Sequence, residues 1–152
     1  MSRKPPDNNF FINGETIFLA KCIIAPDGLI CKIRNTGTSL DGVNLYIDSC
    51  SVDDSLEIIV SLNTGYIKLG KNTIYTNPVL DIHLERNIKL KKPLKIAIPI
   101  TGKDAQTNIS CFFIKDDRSL SPVISTPPVI YEDKISRFIM YTFHSGLFTW
   151  IN

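Results

Sequence analysis

The chain has 152 residues, of which 43% are hydrophobic and 21% charged, a balance that fits one folded domain and excludes a disordered segment. A formal net charge of +2 with a pI near 8.3 is too small to mark a dedicated nucleic-acid domain, so no nucleic-acid partner is expected. No apolar run approaches the roughly 20 residues that span a bilayer, and no transmembrane segment is expected.

From the N-terminus, Met1 to Asn9 is polar and lacks the apolar stretch of a secretory signal. The reading is a polar arm over 1–13, then a single domain over 14–152, with a cytoplasmic location. Cys22 and Cys31 flank a turn signal at Pro26-Asp27-Gly28 and can face one another across it. In a reducing compartment they are expected as free thiols, and outside it as a bridge. With Cys50 and Cys111 they form no C-x-x-C pair, and both His residues lie far away in sequence, so no metal site or cofactor is expected.

Further on, hydrophobic alternation of period two dominates, which is the signature of strands with one buried face. Val43 to Asp48 carries it, Leu80 to Glu85 more cleanly, and Leu94 to Ile100 again. Leu56 to Leu62 is apolar on both faces and reads as an interior strand. Turn residues punctuate these runs at Asn35-Thr36-Gly37, Asp41-Gly42, Gly70-Lys71-Asn72 and Thr101-Gly102-Lys103-Asp104. Asn63-Thr64-Gly65 reads as a tight hairpin, Lys115 to Pro128 as the one long loop, and Ile135 to Trp150 as two strands. No window shows an amphipathic helix with a cap. The fold class expected is all-β, an antiparallel β-sandwich of about nine to ten strands.

Several clusters carry possible chemistry. The carboxylates Asp48, Asp53, Asp54 and Glu57, with Ser49 and Ser51, lack the spacing and the Gly of a calcium loop and read as solvated. Asp81, His83 and Glu85 share the outward face of one strand; no motif places a nucleophile beside them. Lys89, Lys91, Lys92 and Lys95 form a basic run around Pro93, either a binding patch for an acidic partner or edge-protecting lysines. Asn108-Ile109-Ser110 is a glycosylation sequon that has meaning only outside the cytosol.

The order of these motifs resembles the ZU-five domain of zonula-occludens scaffolds, Unc-five netrin receptors and ankyrins. Gly37 to Ile47 is similar to the family's opening, and Leu56 to Val60 to its next strand. Asn77-Pro78-Val79 and Leu90-Lys91-Lys92-Pro93-Leu94 stand where the family has Ser-Pro-Val and Phe-x-Lys-Pro-Val, and Phe143-His144-Ser145 where it has His-Phe-Ser. The likeness runs over about residues 28–152, and it departs from the family at Asp48 to Val52, where the apolar-Pro-x-Gly-Ala turn is missing. It implies a β-sandwich that serves as a non-enzymatic protein–protein interaction module in a cytoskeletal, junctional or signalling assembly.

One branch of the family cuts itself at the His-Phe-Ser step. By that resemblance Ser145 would attack the carbonyl of His144, with His144 or a residue brought close by folding as base. The permuted order places His144 directly before Ser145, and adjacent side chains on a strand point to opposite faces. The competing reading is a plain turn. A third possibility is an extracellular adhesion or ligand-binding sandwich, which requires the Cys22–Cys31 bridge.

Overall fold

The computed structural model describes residues 11–12, 15–64, 66–69, 72–74, 79–100, 109–117 and 119–151, and among these there is no helix. Chain order gives β1 (Phe11–Ile12), β2 (Thr16–Ile24), β3 (Leu29–Lys32), β4 (Asn44–Ile47), β5 (Leu56–Asn63), β6 (Tyr66–Leu69) and β7 (Asn72–Ile74). Then follow β8 (Val79–Leu84), β9 (Leu94–Ile100), β10 (Ser110–Ile114), β11 (Leu120–Pro122), β12 (Val129–Ile130), β13 (Ser136–Thr142) and β14 (Gly146–Ile151).

The strands form a six-stranded sheet, β11-β10-β14-β8-β5-β2, and a five-stranded sheet, β12-β13-β9-β4-β3. Every pairing in them is antiparallel. A small third sheet, β1-β6-β7, stands apart. The protein is therefore an all-β sandwich. Its two main sheets hold 11 strands, above the number alternation predicts. The additional ones are short edges: β11 and β12 have three and two residues, too few to show a period.

Alternation becomes burial as the sequence dictates. Leu80, Ile82 and Leu84 of β8 are buried, while Asp81 and His83 are half-buried on the other face. In β5, Leu56, Ile58, Val60 and Leu62 face inward, and the strand lies between β2 and β8. Phe138 of β13 and Trp150 of β14 meet across the layers edge to face at 5.7 Å, joined in the core by Phe148, Leu45 and Ile96. A separate cluster of Val79, Ile114 and Leu147, with Leu120 against it, forms a second apolar group.

Most connections cross from one sheet to the other. The link from β2 to β3 is a tight turn, in which Gly28 N–H donates to the Ala25 carbonyl at 2.9 Å. Gly28 has φ +106°, and a Cβ there would lie 2.6 Å from the Ile47 carbonyl oxygen, so both backbone angle and space demand glycine. Because the turn crosses layers, Cys22 and Cys31 lie on the edge strands of opposite sheets, half-buried against the core. Their Cα atoms are 7.0 Å apart and their sulfurs are paired as a disulfide. The bridge staples the open side of the sandwich, in place of the reduced thiols expected of a cytosolic chain.

Two further expectations change. β5 does not form a hairpin with β6; it pairs with β2 and β8, whereas β6 pairs with β1 and β7. The Asn63-Thr64-Gly65 step therefore links two sheets, and Gly65 itself lies outside the described residues, as do Gly70-Lys71, Asn77-Pro78, Thr101–Asp104 and Asn108. The 115–128 stretch is not a loop throughout. It contains β11, and Ser125 then bridges to Met140 on the edge of β13. Prolines and polar residues break its period, yet Thr126 N–H donates to Ile139 O at 2.9 Å and Tyr141 N–H to Ile124 O at 3.1 Å.

Candidate functional site

The C-terminal step joins β13 to β14 and so crosses between the layers. Thr142 fixes it from both directions: its hydroxyl donates to the His144 carbonyl at 2.9 Å and accepts from His144 N–H at 3.3 Å. Ser145 Oγ accepts from Leu84 N–H at 2.9 Å, tying the turn to the end of β8. The His144 ring is exposed, with Nδ1 at 2.9 Å from the Ser145 carbonyl oxygen and the Phe113 ring against it edge to face at 5.3 Å. The imidazole thus faces the backbone oxygen of Ser145, and the hydroxyl is engaged elsewhere.

The basic run and the carboxylate group, separate in sequence, face each other in the fold. The stretch after β4 lies against the stretch before β9, with Lys91 N–H donating to Ser51 O at 3.1 Å and Ser51 Oγ to Lys92 O at 3.2 Å. Lys91 Nζ pairs with Asp53 at 2.5 Å and Lys95 Nζ with Asp48 at 3.6 Å. Glu57 pairs with Lys21 at 3.2 Å. Lys89 lies over the Phe143 ring at 5.5 Å, and Lys92 is exposed. Two of the four lysines thus already have carboxylate partners, and exposed pairs of this kind contribute about 0–1 kcal/mol each.

On β8, Asp81 lies opposite Ser61 and His83 opposite Ile59, and the Glu85 carboxylate accepts from Glu57 N–H at 2.8 Å. The row stays on one sheet face. No group of three or more His, Cys, Asp or Glu among the described residues is placed to hold a metal ion. No helix among the described residues is long and apolar enough to cross a membrane. Of the remaining cysteines Cys50 is exposed, while Cys111 is buried and its thiol is pushed up to about 11 by that burial, against a hydrogen bond with Ser125.

A further surface feature lies on the outside of the five-stranded sheet. A cleft of about 540 Å³ opens between β3–β4 and the turn joining β12 to β13. Its floor is set by Arg137, whose side chain is fully buried despite its charge. Arg137 Nε donates to the Gly42 carbonyl at 2.9 Å, and its two Nη groups donate to the two oxygens of Asp133 at 2.9 and 2.8 Å. The Tyr131 ring covers the guanidinium at 4.9 Å. Hydrogen bonds from Arg137 hold the Asp133 carboxyl down at about 2, helped by the Ile135 N–H and by the charge of Arg34 nearby.

Lys32, Arg34, Asn44 and Tyr46 form one wall of this cleft, and Val129, Ile130 and Glu132 the other. Arg34 Nη1 donates to the carbonyls of Ile33 and Val43 at 2.8 and 3.3 Å, and Nη2 to Asn44 Oδ1 at 2.8 Å. The sequence carried one sign of this wall, the outward period-two row Ile30, Lys32, Arg34 around buried Ile33. The opposing wall lies just after the 115–128 stretch and before the segment that reads as two strands, and nothing in the sequence pairs the two walls. No family profile, curated protein or solved structure matches this chain.

Proposed function

We propose that this domain is a non-enzymatic protein–protein interaction module that engages partners along its sheet edges. One observation supports this above the rest. Among the described residues, the exposed large hydrophobics are Phe18 and Ile23 on β2, Ile30 on β3, Val129 and Ile130 on β12, and Ile124 and Ile135 beside β12 and β13. β2, β3 and β12 are all edge strands. Edge strands usually carry charges or prolines that discourage further pairing, so an apolar edge fits a surface that is covered in use. The ZU-five resemblance adds the setting, a larger cytoskeletal, junctional or signalling assembly.

The test is partner recovery with and without added charge on that edge. Val129→Asp combined with Ile130→Asp alters two exposed side chains, so the fold should keep its melting temperature. The reading predicts that proteins recovered with the native chain are lost with this variant. Unchanged recovery would count against the edge as the contact.

The Cys22–Cys31 disulfide favours a second reading, an extracellular adhesion or ligand-binding sandwich, because such bonds persist in oxidising compartments. In that reading the bridge is present in protein taken directly from its native compartment with thiols blocked. In the first reading those two thiols are alkylated in the same preparation.

A further inference from the structure

Three cations, Lys32, Arg34 and Arg137, line the cleft with two carboxylates, Glu132 and Asp133. Arg137 and Asp133 consume each other: both carboxylate oxygens accept from its two Nη groups. Lys32 has no ion pair among the described residues, in contrast to Lys21, Lys91 and Lys95. Arg34 is held by neutral acceptors alone, two backbone carbonyls and the Asn44 amide oxygen. Those bonds leave its Nε–H and one Nη2–H free to donate. A guanidinium fixed in place yet not neutralised by contact is pre-organised for a carboxylate, since the ordering cost of its long side chain is already met.

The opposite wall is of another character. Val129, 54% exposed on edge strand β12, lies directly opposite Arg137 and so shares the cleft's face, with Tyr46 and Tyr131 half-buried beside the cleft. An anionic group next to an aliphatic one satisfies both walls. A dense polyanion fits less well, because Glu132 lies on the same rim and only two cations are uncommitted.

We propose that this cleft is a docking site for an extended acidic peptide, whose carboxylate is received by Arg34 and Lys32 while a neighbouring aliphatic side chain lies on Val129. The inference rests on the interaction-module reading above and gives its partner a chemistry.

The probe is a phage-displayed library of random dodecapeptides, selected on the full chain and depleted on a Lys32→Ala, Arg34→Ala variant. Both substituted positions are exposed, and equal melting temperatures confirm the variant's fold. The proposal predicts enriched sequences with Asp or Glu beside an aliphatic residue. A synthetic peptide of that sequence should lose affinity by about tenfold or more on Arg34→Ala, the scale of a charge-assisted hydrogen bond. Replacing its Asp by Asn should cost a similar factor, and Lys32→Glu should weaken binding in the native Arg34 background.

Enriched peptides without acidic residues, dependent on Val129 but indifferent to Arg34→Ala, would overturn the acidic-peptide assignment and leave the interaction module standing. No enriched peptide at all would overturn both. Tighter binding of a labelled single-stranded oligonucleotide, lost on the same variants, would overturn the peptide in favour of nucleic acid.

Discussion

Arg137 is a full charge in a site with no solvent exposure, tolerable because each of its nitrogens meets an acceptor and a ring covers its face. Its partner Asp133 faces solvent, so the pair can be titrated. The folded carboxyl, at about 2, lies below its unfolded value near 3.8, and the bond therefore contributes stability that is complete above pH 4. That contribution falls away as pH drops from 4 towards 2. Acid unfolding followed by circular dichroism should show this loss in the native chain, and Asp133→Asn should be less stable at pH 7 with a shallower acid limb. The cysteines separate as sharply. Buried Cys111 stays a thiol at pH 8, exposed Cys50 is open to attack, and Cys22 and Cys31 are tied. With the Cys22–Cys31 bridge closed, native protein treated with iodoacetamide should gain one adduct, mapped by peptide mass to Cys50; rapid labelling of Cys111 would mean that β10 opens. The sequence shows that Cys22 and Cys31 flank a turn, but not that the turn crosses between layers, which decides that they meet.

Strands with a buried face announce themselves: β4, β8 and β9 are visible as alternation, β5 as an apolar run, and β13 and β14 as the aromatic and β-branched segment over 135–150. What alternation cannot reveal is which strand pairs with which. Asn63-Thr64-Gly65 has the residues of a hairpin, yet β5 has β2 and β8 on its flanks and leaves no edge for β6. Likewise 115–128 loses its period to Pro122, Pro127 and Pro128 and still supplies edge strand β11 and a bridge from Ser125 to Met140 of β13. The basic run and the acidic group were each legible, but their pairing was not, because it comes from two crossover links lying side by side. The contact between layers that matters most is Phe138 on Trp150. Phe138→Ala should cost about 3–5 kcal/mol, the range for a large side chain removed from a packed core, measured by urea unfolding. A loss below about 1 kcal/mol would mean that the core collapses around the gap.

For the molecule as a whole, the large apolar side chains that stay exposed among the described residues lie on β2, β3 and β12 or beside β12 and β13, and a cleft opens at β3 and β12. The cleft was the least legible feature in the sequence. Its walls are 83 or more positions apart, the separation of Tyr46 from Val129, and one of them falls between the segment read as a loop and the segment read as two strands. The C-terminal step bears on the whole chain too. With Ser145 Oγ bonded to Leu84 N–H and His144 turned to a carbonyl, purified protein should give a full-length mass, and Ser145→Ala the same mass less one oxygen. A missing Ser145–Asn152 fragment would make self-cleavage the leading function.

The most direct measurement is site-specific photo-crosslinking in cells, with a benzophenone amino acid at Ile130 and, as a control, at exposed Lys115. An interaction module that works through its β12 edge predicts a discrete crosslinked protein from position 130 that is absent from position 115. Equal or absent crosslinking at the two positions would contradict it.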